Sequence, residues 1–121
     1  MEIKRFDDFN KAFGMLVEEK NCEGLRVIYY PSELKNCCCV YLTNEKYSLG
    51  LWASVTGLTI HEYGLNLIKP HVYDSTKVTA IETTPEGFRI KFAEGYIYNN
   101  NPLKTIEINL LNIKNSTIII E

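Results

Sequence analysis

The feature that most constrains the fold is a change of phase in the apolar pattern between Tyr47 and Tyr63. From Tyr47 to Val55 the apolar residues are Tyr47, Leu49, Leu51, Ala53 and Val55, all at odd positions. That is the period of two of a half-buried strand. After Thr56-Gly57 the apolar residues are Leu58 and Ile60. A two-residue hairpin demands such a flip, because Val55 then faces Leu58 and Ala53 faces Ile60. The other side of this hairpin carries Trp52 across from His61 and Gly50 across from Tyr63. Thr resists the positive φ of a primed turn, which leaves a longer or bulged loop open. A slip of one residue would break the facing.

The run before it extends the same logic. Cys37 to Thr43 reads as a strand and Asn44-Glu45-Lys46 as its turn. A two- or four-residue loop places Cys38, Val40 and Leu42 on the face of Leu49 and Leu51. Cys37, Cys39 and Tyr41 then join Trp52, His61 and Tyr63 on the opposite face. The expected result is an aromatic, thiol-bearing surface across three strands. The alternative is a second core layer under the helix or another sheet, since large aromatics are usually buried.

Elsewhere the chain offers one helix and more strands. Phe6 to Glu19 carries Phe6, Phe9, Phe13, Leu16 and Val17 as one apolar stripe, with Asp7 and Asp8 at the positive end of the dipole. Gly24 to Tyr30 reads as a strand closed by Pro31. Gly64 to Ser75 has no clear pattern, and is compatible with a short strand at Leu65 to Ile68 or one helical turn. Lys77 to Thr83 and Phe88 to Ala93 form a hairpin around Thr84-Pro85-Glu86-Gly87, with Pro second and Gly fourth in the turn. That register puts Thr83 opposite Phe88, Ile81 opposite Ile90 and Glu82 opposite Arg89. Tyr96 to Tyr98 continues or restarts this strand, Asn99 to Pro102 is a loop, and Thr105 to Ile113 alternates with a bulge expected near Leu110. Thr117 to Ile120 reads as a short last strand.

Composition narrows the function classes. At 121 residues the chain is expected to be one domain with its own core. A net charge of −2 argues against a nucleic-acid surface, which needs a basic excess. MEIKRFDDF has no apolar segment of the secretory kind, and no apolar run approaches the ~18 residues of a membrane helix, so a cytoplasmic protein is expected. Cys37, Cys38 and Cys39 are adjacent in a strand and alternate faces, a spacing that suits no zinc knuckle. Reduced thiols are expected there and at Cys22, with no metal and no cofactor.

No specific catalytic set is visible: there is no glycine-rich phosphate loop, nucleophile elbow or H-E-x-x-H. His61 and His71 are the two histidines. A thiol nucleophile at Cys37 or Cys39 with His61 as base is the best enzyme alternative. A second alternative is a ligand-binding barrel lined by Tyr29, Tyr30, Tyr41, Trp52, Tyr63 and Tyr73.

A small, mildly acidic, strand-rich domain without catalytic residues resembles the immunity proteins of bacterial toxin–immunity systems, including those paired with contact-dependent inhibition toxins. The tail NNNPLKTIEINLLNIKNSTIIIE adds the Asn, Ile and Lys richness of an AT-rich bacterial genome. The resemblance is one of whole-chain style, so it transfers no residue roles. It implies a non-catalytic protein that binds and neutralises one cognate toxin, with a basic nuclease domain as the partner for which acidic side chains supply complementarity. The partner-binding residues expected are Glu18, Glu19, Trp52, His61, Glu62 and Tyr63. The fold expected is α+β: an N-terminal helix packed on a strongly bent, mainly antiparallel sheet of about seven strands.

Overall fold

The computed structural model describes the backbone of residues 1–19, 26–30, 37–43, 47–64 and 67–109, and the side chains of 1–16, 37–43, 48–61 and 71–109. Helix α1 spans Asp7–Glu19. Phe9, Ala12, Phe13 and Leu16 recur at helical spacing on it and are all buried. Phe6 is half-buried at its start, and the side chain of Val17 lies outside the described residues. The Asp8 carboxylate accepts from the backbone N–H groups of Lys4 (2.8 Å) and Arg5 (3.1 Å), which ties the incoming chain to the first turn.

Strands β1 (Arg26–Tyr30), β2 (Cys37–Thr43), β3 (Tyr47–Ser54), β4 (Leu58–Gly64) and β5 (Leu67–Tyr73) form an antiparallel sheet in the order β1-β2-β3-β4-β5. Cys38, Val40 and Leu42 pair with Ala53, Leu51 and Leu49, as the alternation requires, and all six are buried. Between β3 and β4 the register differs from the expected one by two residues: Ala53 pairs with Leu58 and Leu51 with Ile60. The loop residues are therefore Val55 and Thr56, not Thr56 and Gly57. Neither takes a positive φ, and the Ser54 side chain closes the turn instead, its Oγ accepting from Gly57 N–H at 3.1 Å. A shift of two keeps every residue on its face, so the face assignment survives the register change. Val55 becomes an exposed loop residue.

The unreadable stretch 64–75 is mostly strand. Pro70 sits inside β5, which is tolerable because β5 is an edge strand of this sheet and proline's missing N–H removes no ladder bond there. A short 3-10 turn at Ser75–Lys77 follows, with Asp74 as its cap.

Strands β6 (Val78–Thr84), β7 (Gly87–Phe92) and β10 (Thr105–Asn109) make a second sheet, in the order β10-β7-β6. Thr83 pairs with Phe88, Ile81 with Ile90 and Glu82 with Arg89, the register read from the sequence. Residues 1–3 run along the edge of β6: Met1 N–H donates to Ile81 O (2.7 Å) and Ile3 N–H to Thr79 O (2.8 Å). Strands β8 (Ile97–Tyr98) and β9 (Asn101–Pro102) form a separate tight hairpin. Its loop is Asn99-Asn100, with φ of 50° and 65°, the left-handed pair that a primed turn needs.

Among the described residues, the sheet expected as one bent layer of about seven strands is thus three sheets, and none of these closes into a barrel. The α+β class holds. One core unites them: α1 touches β1, β2 and β6, and its Phe9 and Phe13 join Val40, Leu51, Ile81, Phe88 and Ile90. The expected bulge near Leu110 and the strand at 117–120 lie outside the described residues.

Candidate functional site

Alternation along β2 to β5 divides the five-stranded sheet into an inner and an outer face. The inner row is Cys38, Val40, Leu42, Leu49, Leu51, Ala53, Leu58, Ile60 and Tyr73, all buried toward α1 and the second sheet. The outer face presents Cys37, Cys39, Tyr41, Ser48, Gly50, Trp52, Thr59, His61 and Val72. Its main line crosses four strands: Cys39 pairs with Trp52, Trp52 with Thr59, and Thr59 with Val72. Trp52, on the middle strand, is 44% exposed, and Val72 is 58% exposed. The outer face is therefore a surface and not a second core layer.

The line beside it runs Tyr41, Gly50, His61. A Cβ on Gly50 would stand 2.8 Å from Tyr41 Cε1 and 3.8 Å from His61 Cβ. The Tyr41 ring therefore lies across the glycine and buries its backbone, an aromatic covering a gap in a strand. Tyr41 and His61 are half-buried, as is Cys39. Glycine is needed at this position so that the ring can lie flat on the sheet.

Among the described side chains of this face, none is a carboxylate, an ammonium or a guanidinium. Its thiols are free of disulfides. Burial pushes the Cys39 thiol up from its ordinary value, with neighbouring Cys37 adding to the effect. On the inner face, burial takes the Cys38 thiol up to about 12. The second sheet is different. Its outer face carries Glu82, Arg89, Lys91 and Glu107, with Arg89 bridging both acids and Lys91 Nζ 3.4 Å from Glu82.

The expected partner-binding residues separate on this framework. Trp52 and His61 share the outer face. Tyr63 pairs with Ser48, but its side chain, like that of Glu62, lies outside the described residues. Glu62 occupies the register row of buried Leu49, one step out of phase with His61. Glu18 and Glu19 end α1, and their side chains are likewise outside the described residues. Of the expected set, Trp52 and His61 are the two whose side chains are described. Val72 and Thr59 belong to the outer face and were not picked out from sequence. For Val72 the signal was masked by Pro70, which hid a strand inside 64–75.

For the thiol alternative, Cys39 and His61 stand on β2 and β4 with β3 between them and two residues apart along the strands, ~12 Å at the backbone. A nucleophile and its base need hydrogen-bond reach, and a thiol pushed up is the opposite of an activated one. Of the aromatics expected to line a pocket, the described ones divide: Trp52 and Tyr41 are on the outer face and Tyr73 is on the inner. Tyr73 packs in tilted contact against Phe92 (5.5 Å between centroids) and Tyr98 (4.6 Å), anchoring the β8–β9 hairpin. A cleft of about 170 Å³ lies between Lys4, Arg5, Phe6, Val55 and Thr76, and an open one of about 310 Å³ between Lys91, Phe92, Glu94 and Lys104. Neither involves the expected aromatics. Among the described residues there is no group of three or more His, Cys, Asp or Glu placed to hold a metal ion. No helix among them is long and apolar enough to cross a membrane. Comparison of the chain with family models, with curated proteins and with solved structures finds no match in any of the three.

Proposed function

We propose that this protein is a non-catalytic binding module that docks one protein partner on the outer face of the five-stranded sheet. In its specific form, it is an immunity protein that binds and neutralises a cognate bacterial toxin in the cytoplasm. The observation that carries the reading is Trp52, 44% exposed on the middle strand and separated from exposed Val72 only by Thr59. Isolated apolar residues on a surface mean nothing, but Trp52 and Val72 share one face with half-buried Cys39 and Tyr41, and together these offer apolar contact area to a partner. Tryptophan is the residue type most enriched among interface hot spots, and half-buried neutral neighbours such as Cys39, Tyr41 and His61 supply the water-excluding surround.

The face modifies the expected electrostatics. A basic nuclease partner was expected to meet acids beside the aromatics. The described side chains of the outer face are neutral, so any steering by the net charge of −2 comes from elsewhere on the molecule. Affinity then resides in dissociation of the aromatic contact more than in the association rate. The test is co-expression with the product of the neighbouring gene. A stable complex and rescue of growth are expected, and Trp52→Ala should lose both while retaining a cooperative melt. A neighbour that is neither toxic nor bound would sink the immunity reading.

A further inference from the structure

We propose that Cys37 and Cys39, neighbours on the outer face of the five-stranded sheet, bind one Cu(I) ion between their two sulfurs, beside Trp52. The site does not depend on the partner reading above, although it shares that face. An ion held in line by two sulfurs needs only two donors. It therefore does not require the group of three that the described residues lack.

The first observation is spacing. Cys37 and Cys39 are two residues apart on β2, both half-buried on the outer face, while Cys38 between them is buried on the inner. Residues two apart on one face of a strand stand ~6.8 Å from each other. A disulfide needs Cβ atoms ~3.8 Å apart, so the regular strand keeps this pair as two free thiols. The gap between them suits a single bridging atom. Two metal–thiolate bonds of ~2.3 Å laid end to end set the sulfurs ~4.6 Å apart. Side chains on a strand lean along its direction, so rotation about χ1 brings two such sulfurs closer than their Cβ atoms and covers that span. The two groups already sense each other. Burial raises the Cys39 thiol, and Cys37 raises it further. A cation between them discharges that repulsion.

The second is the choice of ion. Thiolates select soft metals: Cu(I), zinc and iron–sulfur clusters. Structural zinc and the clusters ask for four ligands. The described side chains of this face offer two thiols here and no carboxylate. Ser54, across from Cys37, has its Oγ engaged with the Gly57 backbone. His61 stands two strands away. Magnesium and calcium take oxygen ligands. A monovalent soft ion in linear coordination is what the donor set fits.

The third is the surroundings. Trp52 pairs with Cys39 across β2 and β3. Cross-strand neighbours have Cβ atoms ~5 Å apart, which brings the indole within the ~6 Å over which a ring attracts a cation. Tyr41 follows on the same face, and its side chain hydrogen-bonds Cys39 in the sense that favours the thiolate. Binding forms two sulfur–copper bonds and releases one proton from each thiol, with no change of oxidation state.

The test uses the full chain under anaerobic conditions, with Cu(I) kept reduced by ascorbate and bicinchoninate as the coloured competitor. One Cu(I) per chain is expected. Trp52 is the sole tryptophan, and its emission should be quenched over the same titration. Cys37→Ser and Cys39→Ser, made separately, should each lower the affinity at least a hundredfold, the scale lost when a two-point attachment becomes one-point. Cys22→Ser should leave it unchanged. Affinity should rise between pH ~6 and ~8, because protons are released. Excess Zn(II) should not displace the copper. Circular dichroism melts check that each variant folds, and one that does not leaves the other to decide. A chain that retains no Cu(I) against bicinchoninate overturns the proposal, as does equal retention in both outer-face variants. Loss of binding in Cys22→Ser, or an unquenched Trp52, overturns the assignment to this pair. Displacement by Zn(II) overturns two-coordinate binding. None of these outcomes bears on capture of the neighbouring gene product, and failure of that capture leaves the copper titration as it stands.

Discussion

The outer faces of the two sheets are made by the same alternation and end as opposite surfaces. On β6, β7 and β10 the outward residues are Glu82, Arg89, Lys91 and Glu107, joined by ion pairs whose side chains are 39–58% exposed. Such a face is satisfied by water, and its pairs contribute little to stability. On β2 to β5 the outward residues are Cys39, Tyr41, Trp52, Thr59, His61 and Val72. Apolar area left in water there forgoes about 25 cal/mol per Å² that a partner would recover. The contrast teaches that exposure alone does not mark a site. A charged face is satisfied by water, whereas an exposed aromatic one leaves apolar area that burial would stabilise.

The largest expected effects test whether the two sheets are one folding unit behind these different exteriors. Phe13→Ala in α1 and Phe88→Ala in β7 each empty a fully buried position, and each should cost about 3–5 kcal/mol. Because both side chains belong to one core, Trp52 fluorescence and far-ultraviolet dichroism should report a single shared denaturant transition for each variant. Two separated transitions would break the picture of one core with two exteriors.

Next comes Gly50→Ala. The added methyl meets Tyr41 Cε1 at 2.8 Å, so the ring must leave its place on the sheet. A loss of about 1–3 kcal/mol is expected, the range for overpacking a filled site. A denaturant midpoint equal to that of the wild type would show that the ring is not held there, and the outer face would lose its second line.

A direct exchange between the faces follows. Trp52→Ala should change stability by about 1 kcal/mol or less, since the indole is partly in water already, yet it should abolish capture of the partner. Arg89→Ala should cost little stability, less still as salt rises, and should spare capture. Equal losses of binding from both variants would remove the distinction between the faces.

The smallest expected effect concerns pH. Backbone N–H bonds from Lys4 and Arg5 hold the Asp8 carboxyl below its ordinary 3.8. The Thr76 hydroxyl and N–H do the same for Asp74. A carboxyl whose folded pKa lies below the unfolded one contributes stability that is fully present above the unfolded value. That contribution is lost as pH falls through the folded value. The melting temperature should therefore decline below pH 3.8, and the paired change Asp8→Asn and Asp74→Asn should flatten the decline. Both groups lie outside the outer face of the five-stranded sheet, so Trp52→Ala should leave the slope of this profile alone. Parallel profiles for the wild type and the paired variant would show that these caps do not carry the acid sensitivity.

How much of this was legible varies by element. The β6–β7 register was readable in full, because Pro85 and Gly87 locate the turn and both faces agree on one pairing. The β2–β3 facing was readable because loops of two and of four residues keep the same parity. The β3–β4 register was misplaced by two residues because the phase flip constrains parity and not loop position. Ser54 then closed the turn through its hydroxyl, a bond that no periodicity reveals. Strand β5 was missed because Pro70 ordinarily breaks a strand, and only its place at the sheet edge makes it acceptable. The placement of Trp52 and His61 on one face was read from alternation. Val72 was hidden by the strand that contained it.

The sequence by itself determined which residues share a face, because alternation in a strand is a local geometric rule that each segment obeys alone. It also determined the buried stripe of α1. Only the tertiary structure decided which face of the five-stranded sheet is covered. That choice depends on where α1 and the second sheet pack, through contacts between residues far apart in the chain, such as Phe13 with Val40 and Ile81 in one core. Tyr, Trp, Cys and His are compatible with either a core or a surface, so their pattern is silent on the point. The packing of α1 on the opposite side leaves Trp52 and Val72 in water, and with them the surface on which the functional proposal rests.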